Sequence, residues 1–182
     1  MKKQTTIFII AIILIIGIIA ITKMDSTSNT VKFETNHGNI IIELYSREMP
    51  ETTDNFKNLV KSGTYDGVIF HRIIDGFMLQ GGDPTGTGMG DPNIPKIQDE
   101  FTNSNLDQNN RGTISMANAG PNTGSSQFFI NLVDNNFLDG RHPVFGKITE
   151  ASFSVIDEIA KVQTNAQDKP LEDVVIIKAS FI

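Results

Sequence analysis

Phe70-His71-Arg72-Ile73-Ile74-Asp75-Gly76-Phe77-Met78-Leu79-Gln80-Gly81-Gly82-Asp83 sets one guanidinium among aromatic, thioether and amide side chains. The run reads as parts of two apolar strands, 68–74 and 77–80. An arginine bracketed by apolar neighbours is normally kept out of a core unless its charge is needed there. On its own the run has a plainer reading, a surface arginine on a half-buried strand, because strand faces often carry charges. Two further runs downstream tip the balance towards a binding pocket.

The second run is Ser115-Met116-Ala117-Asn118-Ala119-Gly120-Pro121-Asn122-Thr123-Gly124-Ser125-Ser126-Gln127-Phe128-Phe129-Ile130. The third is Phe137-Leu138-Asp139-Gly140-Arg141-His142-Pro143-Val144-Phe145-Gly146. In content and order the three resemble the cyclophilins, and the resemblance extends over residues 31–182. It implies a mainly β fold, a closed eight-stranded antiparallel barrel capped by two α-helices, one at each end. It also implies peptidyl-prolyl cis-trans isomerase activity that assists protein folding, with no cofactor and no metal. The partners implied are proline-containing peptides and unfolded or folding proteins.

By the same resemblance the first run supplies the catalytic arginine, Arg72, the second the floor of the proline pocket, and the third its rim. Phe77, Met78, Phe129 and Leu138 match the apolar pocket that holds the proline ring, where a methionine makes an adaptable wall. Gln80 matches a residue that positions Arg72 and the substrate. Asn118, between the small Ala117 and Ala119, matches the position that offers backbone groups to an extended peptide. Gln127 and His142 match pocket-lining residues. By residue type alone the apolar four are ordinary core, and His142 is a surface histidine in a turn. Two positions depart from the family pattern. Phe137 stands where the best-known cyclosporin-sensitive members carry Trp, so an indole N–H is missing and only weak cyclosporin binding is expected. Asp75 stands where many members have Pro, at a turn position that Asp also suits.

Composition is compatible with one domain. The 182 residues, 39% hydrophobic and 20% charged, suffice for one sizeable core. The absence of cysteine excludes disulfides, thiol catalysis, thiolate metal sites and a lipidated cysteine anchor. A net charge of −6 without a Lys/Arg cluster argues against nucleic acid as a partner. A monomer is expected.

The N-terminus is a separate object. After Lys2 and Lys3 no charge occurs from Gln4 to Thr22, and residues 7–21 are rich in isoleucine. As a helix, residues 4–22 would reach about 28 Å, close to the thickness of a bilayer's hydrocarbon core. We read residues 1–22 as a hydrophobic anchor or signal segment. The flank lacks a clear small-x-small cleavage pattern, which favours a single-pass anchor over a secreted, cleaved product. The basic pair places the N-terminus inside and the domain on the extracytoplasmic side. Residues 23–30 read as a polar tether, and residues 31–182 as the isomerase domain. Removing residues 1–22 takes away two of the 15 basic residues and none of the 21 acidic ones, so the remainder carries a formal −8.

Along the domain, strands are expected at 31–35, 40–45, 113–117, 128–132 and 144–148, and a closing segment at 171–182. A turn with Gly38 and Asn39 joins the first two into a hairpin. A helix opening at Pro50 and stopping at Gly63 puts Phe56, Leu59 and Val60 on one face, and a second is expected at 152–161. Residues 81–111 read as a long ordered loop. Its Gly86-Thr87-Gly88-Met89-Gly90 stretch lacks the Gly-Lys-Ser/Thr of a phosphate loop. His37, His71 and His142 are too scattered for a metal site.

What remains is chemistry without bond making. A fixed cation aimed at the prolyl nitrogen would stabilise the twisted amide over the planar one. The alternative to an isomerase is a prolyl-peptide binding module or holdase chaperone with incidental turnover.

Overall fold

The computed structural model describes residues 28–102 and 105–182. β1 (Thr30–Thr35) and β2 (Gly38–Leu44) form the expected hairpin, with Thr35 opposite Gly38. Gly38 turns the chain at φ +128°, a conformation that side chains resist. β1 buries every second residue, the period a strand with one covered face requires. α1 (Pro50–Lys61) begins on its proline and buries Phe56 and Val60. The remaining elements are β3 (Val68–Ile69), β4 (Arg72–Ile74), β5 (Met78–Gly81), β6 (Thr113–Met116), β7 (Phe128–Asn131), β8 (Val144–Ile148), α2 (Phe153–Ile159) and β9 (Val175–Phe181).

The strands form one sheet in the order β3-β9-β1-β2-β8-β6-β7-β5-β4, and every pairing is antiparallel. Its two end strands are halves of one run of chain, interrupted at Phe70-His71. The first half pairs with β9, continued by a bond from the Phe70 N–H to the Val174 carbonyl at 2.9 Å, and the second half pairs with β5. The barrel is therefore closed through the chain itself. With that run counted once, the nine strands become the eight expected of a cyclophilin barrel.

Phe33, Phe56, Tyr65 and Phe128 meet in the interior with ring centroids 5.2–6.0 Å apart. α1 contributes Phe56 to this cluster and so plugs one end of the barrel, while α2 buries Ile156 and Ile159. The Tyr65 hydroxyl, fully buried, donates to the Ser126 carbonyl at 3.0 Å, and burial pushes its pKa upward.

Two stretches differ from the sequence reading. The last strand starts at Val175, because residues 163–171 form a loop closed by a bridge between Thr164 and Pro170, and Leu171 is 62% exposed. Pro170 lacks a backbone N–H and Asp168 sits at φ +61°, neither of which suits a continuing strand. Residues 28–30, read as the end of the tether, already bond to the domain. Thr30 opens β1, Ser28 Oγ donates to the Ile182 carbonyl at 2.6 Å, and Lys57 Nζ donates to Asn29 Oδ1 at 2.7 Å. The anchor or signal segment at 1–22 and residues 23–27 of the tether read at 23–30 lie outside the described residues. Among those described, no helix is long and apolar enough to cross a membrane.

Candidate active site

Register builds the site from four neighbouring strands. Arg72 on β4 faces Gln80 on β5, Gln80 faces Phe129 on β7, and Phe129 faces Ser115 on β6. Residues paired across a sheet share a face, so the four side chains lie in one row on the outside of the barrel. One position along, Ile73, Leu79, Ile130 and Ile114 form the matching row, all buried in the core. The alternation that fills the barrel thus delivers the arginine to its outer wall.

There Arg72, Phe77, Met78, Gln80, Ala117, Asn118, Phe129, Leu138 and His142 surround a cleft of about 190 Å³. It is smaller than the roughly 300–1,000 Å³ of typical cofactor pockets and suits one small apolar ring. Ala119 and Gln127 lie outside this cleft. They line an adjoining hollow of about 800 Å³, together with Gln80, Ala117 and Asn118. Phe137, in the short 3-10 turn Asn136–Leu138, is 66% exposed and stacks on Phe77 at 5.9 Å and 20°.

Each wall is held by contacts of its own. His142 meets the edge of Phe129 at 5.4 Å, and its Nδ1 lies 3.1 Å from the Met116 carbonyl. The Gln80 amide donates to Gln127 Oε1 at 3.0 Å, and Gln127 Nε2 donates to the Gly88 carbonyl at 3.0 Å. Across the strands from Gln80, Arg72 instead donates its Nε–H to Asp168 Oδ2 at 3.3 Å. The Asn118 side chain is engaged on the Arg141 carbonyl at 2.8 Å. Among the described residues no hydrogen bond occupies the Asn118 backbone N–H or C=O, which leaves both available to an extended peptide.

A buried polar network lies behind the cleft. Ser115 Oγ donates to Asn109 Oδ1 at 2.7 Å, and Asn109 Nδ2 donates to Asp139 Oδ1 at 3.1 Å. Asn135 Nδ2 donates both to Asn131 Oδ1 and to the Phe77 carbonyl, each at 2.9 Å. These bonds tie the turn that carries Phe137 and Leu138 to the sheet beneath. Sequence reasoning missed the network, and its one visible signal was asparagine at position 131 directly after Phe128-Phe129-Ile130. Asp168 and the buried Asp83 were missed as well.

Asp83 organises the loop beside the cleft. Its carboxylate accepts N–H groups of Thr85, Gly88 and Gly90 at 2.9, 2.7 and 3.1 Å, and the Thr85 hydroxyl at 2.8 Å. Burial pushes its pKa up, but these donors outweigh burial and hold it below the ordinary value. For His71, burial dominates and lowers the pKa, Asp83 opposes that, and Arg72 and Lys169 add to it. Among the described residues its buried Nδ1 has no hydrogen-bond partner. Among the described residues no group of three or more His, Asp or Glu is placed to hold a metal ion.

Fold and cleft together define an antiparallel β-barrel that carries a small apolar pocket beside a guanidinium on its outer wall. The family model for cyclophilin type peptidyl-prolyl cis-trans isomerases matches residues 30–181, and the chain belongs to that family. Peptidyl-prolyl cis-trans isomerase ppi1 of Schizosaccharomyces pombe is 49% identical over 151 residues, 82% of this chain and 96% of the relative. The human peptidyl-prolyl cis-trans isomerase-like 1 is 45% identical over 151 residues, 82% and 90%. A Cryptosporidium parvum cyclophilin superposes with a TM-score of 0.79 at 33% identity, covering 85% of this chain and 98% of that one. A second structure of that protein, in the presence of the dipeptide Ala-Pro, gives 0.79 at 34%, covering 84% and 98%.

Proposed function

We propose that this peptidyl-prolyl cis-trans isomerase works by seating the proline ring against Phe129, Met78, Leu138 and Phe77 while Arg72 donates to the prolyl nitrogen. The observation that carries the proposal is Arg72 on the wall of that small apolar cleft. The X–Pro amide resists rotation because resonance gives its C–N bond partial double-bond character, with a barrier of about 18–20 kcal/mol. In the twisted state the nitrogen lone pair localises and becomes a hydrogen-bond acceptor. A cation donating there stabilises the twisted form more than the planar one, which is the condition for catalysis. The Asn118 backbone holds the peptide as an added strand, and Ala117 and Ala119 leave it room. Shortening exchange from tens of seconds to milliseconds takes about four powers of ten, or roughly 5–6 kcal/mol. A charge-assisted bond and fixed orientation are together of that size.

The test is NMR exchange on an X–Pro peptide with the full chain. Arg72→Ala is expected to lower kcat by about 10²-fold, the usual cost of losing a transition-state donor, with peptide binding kept. Undiminished kcat in a folded Arg72→Ala protein would remove the arginine from the mechanism. Peptide binding without faster exchange in the unsubstituted protein would favour the binding-module alternative.

For the cell, we infer a domain anchored by residues 4–22 on the extracytoplasmic side, acting on folding exported proteins as a monomer. The support is Lys2 and Lys3 ahead of an uncharged run from Gln4 to Thr22. Protease accessibility in intact cells tests the side. The N-terminal mass of the mature protein separates an intact anchor from a cleaved signal.

A further inference from the structure

Gln80 faces Arg72 across β4 and β5, yet its amide is held by Gln127. Among the described residues the Arg72 side chain has one hydrogen-bond partner, Asp168, 96 positions further along the chain. That aspartate lies in the loop between α2 and β9 and is fixed from both sides. Its carbonyl accepts the Ile73 N–H at 2.8 Å, next to Arg72 itself, and its own N–H donates to the Asn165 carbonyl at 3.0 Å. Asn165 Oδ1 accepts the N–H groups of Gln167 and Lys169 at 2.9 and 3.0 Å, and the Thr164–Pro170 bridge closes the loop. Asp168 takes φ +61°, a left-handed conformation that glycine adopts more readily than any residue with a side chain.

Stability does not account for this arrangement. The Arg72 and Asp168 side chains are 42% and 41% exposed, and an ion pair so open to water adds little to folding. Geometry does account for it. The carboxylate engages Nε–H, at the base of the guanidinium, and leaves the two terminal amino groups unbound beside the cleft. A planar fork held at one edge has its plane fixed before the peptide arrives. We propose that Asp168 is a positioning residue for the isomerisation, setting the orientation of the Arg72 guanidinium. The proposal rests on the reading of Arg72 as the donor to the prolyl nitrogen.

Two substitutions test it without straining the backbone. Glycine is at ease at positive φ and asparagine tolerates it, so Asp168→Gly and Asp168→Asn are both expected to fold, with thermal unfolding as the check. In the full chain, kept in mild detergent, kcat and KM would be measured by NMR exchange on an X–Pro peptide, together with the Arg72 Nε–H resonance. Asp168→Gly is expected to lower kcat about fivefold, the upper end for an exposed pair, with KM unchanged and the Nε–H resonance displaced. Asp168→Asn, which retains an acceptor oxygen, should fall between. Adding Asp168→Gly to Arg72→Ala should cost nothing more, because the carboxylate acts only through the arginine.

An unchanged kcat in both Asp168 variants, beside a slow Arg72→Ala, would overturn the positioning role and leave the arginine in place. An equal loss from Asp168→Gly in the Arg72→Ala background would also overturn it. Full activity in Arg72→Ala would defeat the underlying reading as well.

Discussion

Position 137 offers a test of whether one side chain can separate two properties of a single cleft. Phe137 stacks on Phe77 at 5.9 Å and caps the rim with apolar surface, but its ring has no N–H to donate. Catalysis as proposed draws on the arginine and the apolar floor, so an indole at 137 is not required for it. Phe137→Trp is expected to raise cyclosporin affinity about tenfold, the worth of one added hydrogen bond, and to leave kcat/KM for a short X–Pro peptide within about twofold. Isothermal titration with the drug and NMR exchange with the peptide would measure the two. A gain in drug affinity matched by an equal change in kcat/KM would mean that the rim and the chemistry are not separable.

Among the elements, the segment from Gly82 to Gly90 shows a loop built around one carboxylate. Gly82 takes φ +83°, and a Cβ there would lie 2.5 Å from the Ser126 carbonyl oxygen, so only glycine lets the chain leave β5 at this angle. The next residue, Asp83, then gathers three backbone N–H groups and the hydroxyls of Thr85 and Thr87. Asp83→Asn keeps the shape but replaces one accepting oxygen with an amide that donates, facing donors with a donor. It is expected to destabilise the protein by about 1–3 kcal/mol, the cost of unsatisfied buried polar groups. Chemical denaturation would measure the loss, and faster amide hydrogen exchange at Gly88 and Gly90 would locate it. Because Gly88 holds Gln127 and Gln127 holds Gln80, the loosening should also reach the cleft.

For the whole molecule, pH should act on stability before it acts on chemistry. The proposed mechanism transfers no proton, and a guanidinium keeps its charge throughout the neutral range. The kcat/KM profile is therefore expected to be flat from about pH 6 to about pH 9, and a bell-shaped profile in the exchange assay would contradict the mechanism. Stability should fall on the acid side in two stages. His71 has a lowered pKa in the fold, so below the ordinary value of 6.5 the unfolded chain takes up the proton first and the folded state loses ground. For Asp83 and Asp66, burial raises the pKa but hydrogen bonds to each carboxylate outweigh it, and for both the net direction is downward. Their stabilisation is complete above the ordinary value of 3.8 and is lost as pH falls through the lowered folded values. Asp107, raised by burial, works in the opposite sense: its penalty is lifted as pH falls through its raised folded value towards 3.8, ahead of this second stage. Thermal unfolding midpoints across that range would trace both stages. By itself the sequence determined most of the strands, the helix that opens at Pro50 and the family, because side-chain period and contiguous motifs are local properties of a chain; the outward row of Arg72, Gln80 and Phe129 came from the register between strands. Only the tertiary structure decided that the run 68–74 splits its pairing between β9 and β5 to close the barrel. It alone set the asparagine network behind the cleft and brought Asp168 to Arg72 from 96 residues away. Such pairings depend on closure in three dimensions, and neither spacing nor hydrophobic pattern along the chain encodes which distant polar groups will meet.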